Sequence, residues 1–229
     1  MITPSAQAPG GTGAPVRLVI FDCDGVLVDT ERIAVRVQTE VLAALGWPMP
    51  EDEIIHRFIG RSAQAIRAAV DERLGAGAGA RWDEAFHRRH REEVDVSLTA
   101  VDGVADALDG IQPHVTTCVA SGGDHAKMRH TLGVTNLYPR FEGRIFSSTE
   151  VAQGKPAPDV FLHAATRMGV DPAACVVVED SHYGVLAARA AGMRSFAYAG
   201  GLTPATRLAG PDTVVFEDMR KLPELLGYA

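Results

Sequence analysis

Residues 16–31 read VRLVIFDCDGVLVDTE, and the fold follows from how that stretch must behave. Val16 to Phe21, apolar apart from Arg17, predict a strand buried in a parallel sheet. Asp22 and Asp24 come where the strand stops, and Gly25 lets the backbone turn sharply. Residues two apart on a strand point the same way, so both carboxylates face one spot beyond its carboxyl end. In open α/β sheets that is where ligands bind. Neighbouring carboxylates repel unless a cation stands between them or they share a proton. An all-oxygen site of this kind suits Mg²⁺. One Asp is then an anion ready to attack phosphorus, since an unperturbed Asp has a pKa of about 3.9. The other, raised by its like-charged neighbours, donates a proton to a leaving oxygen. The same residues also suit a plain turn after a strand.

The chain from Asp29 to about Ser97 reads as helix without strand. Ile33, Val37, Val41 and Leu45 form one apolar stripe, which Gly46 and Pro48 stop. Further helices are expected over 51–58, 62–74 and 82–95, with GAGAGA (75–80) as a flexible break. Such a segment cannot belong to a βαβ repeat, so we read it as an all-helical insert lying over Asp22 and Asp24. HRRHREE (87–93) reads as a solvated helix face, with His87 and His90 only weakly suited to a metal. After Asp102-Gly103, strands over 114–121, 143–148, 174–180, 193–199 and 213–216 alternate with helices. That pattern predicts an α/β fold with a doubly wound parallel sheet.

Three later stretches carry chemistry. Ser121, Gly122 and Gly123 end a strand ahead of a helix, as in a phosphate cradle or an ordinary N-cap. GKPAPD (154–159) presents Lys155 from a backbone stiffened by two prolines, either toward the carboxylates and a phosphate or into solvent. VVVEDS (176–181) brings Glu179 and Asp180 to the sheet edge that holds Asp22. There they complete a cation site, cap the next helix, or do both.

The composition is 46% hydrophobic with a formal net charge of −7. That supports a real core and argues against nucleic acid or anionic membrane as partner. No run approaches the roughly 18 apolar residues of a membrane span. Residues 1–15 lack a basic start and an apolar stretch, and read as a disordered tail rather than a secretory signal. Cys23, Cys118 and Cys175 each fall in or beside a buried strand, which fits reduced packing residues in a cytoplasmic protein. The Cys23 backbone N–H is the group suited to a bound phosphate.

Taken together, the four stretches resemble the haloacid dehalogenase (HAD) superfamily. DCDGV, Ser121, Lys155 in GKPAPD and Glu179-Asp180 in VEDS match its four motifs in order. The resemblance implies a Rossmann-like core (16–30 and 99–229) and a helical cap (31–98) like that of the β-phosphoglucomutase subgroup. It implies Asp22 as nucleophile through an aspartyl-phosphate and Asp24 as acid/base. Cys23, Ser121, Gly122 and Lys155 would hold the phosphoryl group, and Asp22, Asp24, Glu179 and Asp180 would serve Mg²⁺. Asp24 argues against dehalogenation. Mutases of the subgroup carry a His about a dozen residues after the nucleophile, where this chain has Ala34. The expectation is therefore a phosphatase for a small sugar or sugar-acid phosphate, with a hexose-phosphate mutase as alternative. A non-catalytic metabolite-binding protein is the third reading, weakened by the presence of both aspartates. FIGRS (58–62) resembles a substrate-facing cap loop, with Gly60 giving flexibility and Arg61 meeting the substrate's distal group. A monomer or small homo-oligomer is expected.

Overall fold

The computed structural model describes residues 15–59, 61 and 63–228. Among these, six strands form one sheet: β1 (Leu18–Phe21), β2 (Thr116–Ser121), β3 (Ile145–Ser147), β4 (Cys175–Glu179), β5 (Arg194–Tyr198) and β6 (Thr213–Phe216). Their order is β3-β2-β1-β4-β5-β6, and every neighbouring pair is parallel. The helices are α1 (Thr30–Ala44), α2 (Glu51–Phe58), α3 (Ala63–Leu74), α4 (Ala78–Ser97), α5 (Val104–Ile111), α6 (His125–Val134), α7 (Tyr138–Phe141), α8 (Asp159–Met168), α9 (His182–Ala190), α10 (Ala205–Leu208) and α11 (Leu222–Leu226).

All four β1 side chains are fully buried, so the strand needs cover on both faces and sits inside the sheet. Burying each contributes about 1.5–3 kcal/mol. Val19 and Phe21 pack on one face with Val119, Val176 and Val178, under α5 and α6. Leu18 and Ile20 pack on the other with Cys118, Ala120 and Val177, under α8 and α9. The chain goes from β1 to β2 on one side and later returns to β4 on the other. That reversal opens a crevice at the carboxyl ends of β1 and β4.

Helices α1 to α4 form the insert, with α4 packed between α1 and α3. The α1 stripe is as expected: Ile33, Val37 and Val41 are buried, and Leu45 packs against them. The two connections to the core run antiparallel. Asp29 N–H donates to the Thr99 carbonyl at 3.0 Å and Val101 N–H to that of Leu27 at 3.0 Å.

The GAGAGA expectation is corrected. Gly75 (φ +94°) and Gly77 (φ +85°) make the turn, but α4 already begins at Ala78. A Cβ on Gly79 would lie 2.4 Å from the Arg67 carbonyl oxygen, and Gly79 N–H donates to Asp71 Oδ1 at 2.9 Å. Gly79 is there so that α3 and α4 can approach closely, a need that composition does not reveal. The short helices α7, α10 and α11 were not foreseen, because each is too brief to show a period. The expected tail and the flexibility assigned to Gly60 concern residues outside those described, apart from Pro15.

Candidate active site

The four chemical stretches meet at one rim of the sheet. Asp22 N–H donates to the Val178 carbonyl at 2.9 Å, which carries the β1–β4 pairing one residue further. Asp22 and Glu179 thus stand side by side. Lys155 Nζ lies between them, 2.7 Å from Asp22 Oδ1 and hydrogen-bonded to Glu179 Oε1. Its ammonium also sits 4.9 Å from the centre of the Phe161 ring. The other Glu179 oxygen accepts from Ser181 N–H and Oγ, both at 2.8 Å. Ser181 in turn caps α9, accepting from Gly184 N–H at 3.0 Å. Both Glu179 oxygens are therefore engaged. Glu179 is the group that holds Lys155 in place. The cap reading of Ser181 holds as well.

Asp24 is held differently. Thr30 Oγ1 donates to its Oδ1 at 2.6 Å, and Lys127 Nζ on α6 donates to its Oδ2 at 2.6 Å. The acidities expected of the two aspartates are inverted. Burial pushes Asp22 up to about 6, against the pull of Lys155. Burial also pushes on Asp24, but the Lys127 ammonium and the Thr30 hydroxyl outweigh it and hold that carboxyl below its ordinary value. Sequence spacing shows that two carboxylates are close. It does not show how burial and the ammonium each one meets will balance.

Asp180 and Glu31 complete the cluster. Each of these carboxyls bears on the other's proton affinity. Burial, reinforced by neighbouring carboxylates, raises Asp180 well above its ordinary value and Glu31 to about 7. Asp180 Oδ2 and Glu31 Oε2 are buried with no hydrogen-bond partner. The Asp22, Glu31 and Asp180 carboxyls and the Asp24 main-chain carbonyl are the oxygen donors that a hard divalent cation takes, and an unpartnered carboxylate oxygen fits that use. The side chains themselves are not drawn into a cage: among the described residues no three such groups stand at metal-binding spacing.

Gly25 matters to this cluster twice. Its φ is +75°, and a Cβ there would lie 2.0 Å from Asp180 Oδ2. Gly25→Ala is therefore expected to cost about 1–3 kcal/mol in backbone strain and to displace Asp180. A thermal melt checks the first effect, at roughly 2–4 °C per kcal/mol for a chain of this size. Phosphate release checks the second and should fall more than about tenfold, since displacing a positioned group costs that much or more.

Ser121 is buried at the end of β2 and accepts from Gly123 N–H at 3.3 Å. Gly122 is exposed, has open space where a Cβ would go, and accepts from Ser148 Oγ at 2.9 Å. The α6 N-cap is Asp124, which accepts from Lys127 N–H at 2.8 Å, so Ser121 is free of that duty. Cys23 is buried with its Sγ 3.9 Å from Thr131 Oγ1, and burial raises its thiol well above the ordinary value. That suits packing and not a thiolate. Cys118 and Cys175 are likewise buried and free.

A cleft of about 810 Å³ opens from Asp24 into the insert. Arg61 lines it, as the cap-loop resemblance implies, and so does Ala34. The solvated-face expectation for 87–93 is corrected in part. His87, Arg88, Arg91 and Glu92 are exposed as expected, and Arg89 bridges Glu40 and Glu92, but His90 is partly buried; His87, His90 and Arg91 border the cleft. Burial, with the nearby Lys127 ammonium, holds His90 below its ordinary value. Thr30, Glu31 and Lys127 were not singled out from sequence. Thr30 and Glu31 directly follow the first motif at the start of α1, which is the one local signal that points to them. Lys127 reads as a common helix lysine.

Comparisons with known proteins show which family this chain belongs to. The family model of the haloacid dehalogenase-like hydrolases matches residues 16–192. The chain is 32% identical to the 6-phosphogluconate phosphatase of Escherichia coli over 215 residues, covering 92% of this chain and 94% of that one. It is 36% identical to the fructose-1-phosphate phosphatase of the same organism over 179 residues, 76% and 92% of the two chains. A haloacid dehalogenase-like protein of unknown function from Agrobacterium tumefaciens superposes with a TM-score of 0.84 at 34% identity, covering 93% and 98%. A putative beta-phosphoglucomutase from Thermotoga maritima does so with a TM-score of 0.78 at 25% identity, covering 93% and 99%. No helix among the described residues is long and apolar enough to cross a membrane. This chain belongs to the haloacid dehalogenase-like hydrolase family and is an enzyme.

Proposed function

We propose that the protein is a Mg²⁺-dependent phosphatase that hydrolyses a small sugar or sugar-acid phosphate through an aspartyl-phosphate on Asp22. The observation that carries this reading is Lys155 bridging Asp22 and Glu179 at the rim where Asp24, Ser121 and Asp180 also end. The phosphatases among its relatives support it. In this scheme Asp22 attacks phosphorus and the bond to the leaving oxygen breaks. Ser121 and the backbone N–H groups of Cys23 and Gly122 orient the phosphoryl oxygens, while Lys155 offsets their charge. Asp24 gives its proton to the leaving oxygen. It then takes one from the water that cleaves the aspartyl-phosphate, which frees phosphate and restores Asp22. The Lys127 and Thr30 contacts favour the ionised Asp24 needed for that second half. An arriving phosphoryl anion raises its proton affinity for the first. Mg²⁺, held by Asp22, the Asp24 main-chain carbonyl and Asp180, would neutralise carboxylate and phosphoryl charge.

A mutase would need a bisphosphate activator and would isomerise its substrate. Ala34 on the cleft wall, where such mutases carry a His, favours the phosphatase. The test is phosphate release from a panel of sugar and sugar-acid phosphates. Release is expected with Mg²⁺, loss to background in excess EDTA, and recovery when Mg²⁺ is restored. Full activity in EDTA, or isomerised product without free phosphate, would overturn the reading.

A further inference from the structure

Among the described residues, four buried side-chain atoms lack a hydrogen-bond partner. One belongs to Asp180. The other three, Glu31 Oε2, Gln38 Nε2 and Trp82 Nε1, belong to side chains that line the cleft. Gln38 is 4% exposed and Trp82 is 1% exposed, so water does not satisfy them from bulk. Orphaned buried donors are rare in folded proteins, and each calls for an explanation. A ligand oxygen is one that the cleft can supply.

The positions fit an extended ligand. Glu31 and Gln38 are seven residues apart on α1, with Ala34 between them on the same stripe. Seven residues of helix rise about 10 Å, so Gln38 stands far from the reacting end marked by Asp24 and Glu31. Trp82 faces the same cleft from α4, stacked on Phe86 at 5.3 Å between ring centres. Arg61 and Arg91 also line the cleft, and among the described residues neither pairs with a carboxylate. Most other cap arginines do: Arg32, Arg36, Arg57, Arg67 and Arg89 all face acids. Arg91 Nε donates to the His87 carbonyl at 3.3 Å, which leaves its terminal nitrogens without a carboxylate; guanidinium groups so placed on a cleft wall suit an incoming carboxylate, which they grip in a fork.

We propose that the cleft selects a linear phosphorylated polyhydroxy acid, whose mid-chain hydroxyl oxygens accept from Gln38 Nε2 and Trp82 Nε1 and whose distal carboxylate is met by Arg61 and Arg91. This rests on the phosphatase reading above and narrows its substrate class. The two guanidiniums explain why an acid should be preferred over the matching alcohol. The two orphaned donors explain why either should be preferred over an ester with no hydroxyl chain.

The experiment compares kcat/KM for a linear hexonate 6-phosphate, the matching hexitol 6-phosphate and p-nitrophenyl phosphate, all with Mg²⁺. The acid should exceed the alcohol by at least about tenfold, as expected for a desolvated charge pair. Trp82→Phe keeps the ring and loses the N–H, and Gln38→Leu loses the amide. Each should lower the hexonate to p-nitrophenyl phosphate ratio by roughly tenfold or more, since a lost hydrogen bond to a bound ligand is worth that much. Arg61→Met with Arg91→Met should bring acid and alcohol to parity. Circular dichroism confirms that each variant is folded, and Gln38→Leu stands in if Trp82→Phe is not. Release from none of the three esters would overturn the phosphatase reading and this proposal with it. Release from p-nitrophenyl phosphate with no preference for the acid, or with ratios unmoved in the folded variants, would overturn this proposal alone.

Discussion

Asp22→Asn is expected to lower kcat for phosphate release by about 10⁴-fold or more, as loss of a covalent nucleophile does elsewhere. The amide has nearly the shape of the carboxylate, so Lys155 and Glu179 keep their contact and the fold stands. The variant removes the atom that would bond to phosphorus and little else. Two measurements check it: phosphate release under saturating substrate, and mass spectrometry of acid-quenched protein. The native protein should carry a transient phosphoryl group during turnover, and the variant should not. Retention of even a tenth of the activity would mean that another group attacks phosphorus. A non-catalytic protein would show no difference between the two chains.

The second large effect is on stability. Lys155 is 12% exposed at its side chain and neutralises two buried carboxylates, one of them fully enclosed. Lys155→Met fills much of the same space but leaves those charges without a partner. Removing one side of a buried ion pair costs about 3–5 kcal/mol. The loss should depend on pH, and its sign can be worked out. Folding already raises Asp22 from its ordinary 3.8 to about 6. The folded chain therefore binds more protons than the unfolded one between those values. That contribution is complete below about 3.8 and is lost as pH climbs through about 6. Without the ammonium, Asp22 rises further, and the penalty for ionising it grows. In EDTA, urea denaturation should show little difference between variant and native protein near pH 4. The gap should widen steadily above pH 6. A pH-independent gap would show that Lys155 contributes packing and not charge.

Much of this architecture was legible along the chain. Val16 to Phe21 marked the central strand, and the apolar runs before Ser121 and Glu179 marked two neighbours. Their order in the chain implied a doubly wound sheet. Asp22, Ser121, Lys155 and Asp180 were found from their places at strand ends or on the loop before a helix. What failed had a common cause. Gly79 looked like slack and is a close-packing contact. His90 looked solvated and is partly buried on the cleft wall. In each case the deciding atom belongs to a distant element, such as the Arg67 carbonyl on α3 for Gly79.

Sequence alone determined that Asp22, Ser121, Glu179 and Asp180 stand at the rim, because strand period, apolar run length and turn residues are local properties. Only the tertiary structure decided what each one touches. Lys127 meets Asp24 across 103 positions of chain, and Lys155 meets Asp22 across 133. Acidity follows from those meetings and from burial, since a charge buried among like neighbours is raised and one beside an ammonium is lowered. Whether a carboxyl at that rim holds a proton is a property of the assembled fold.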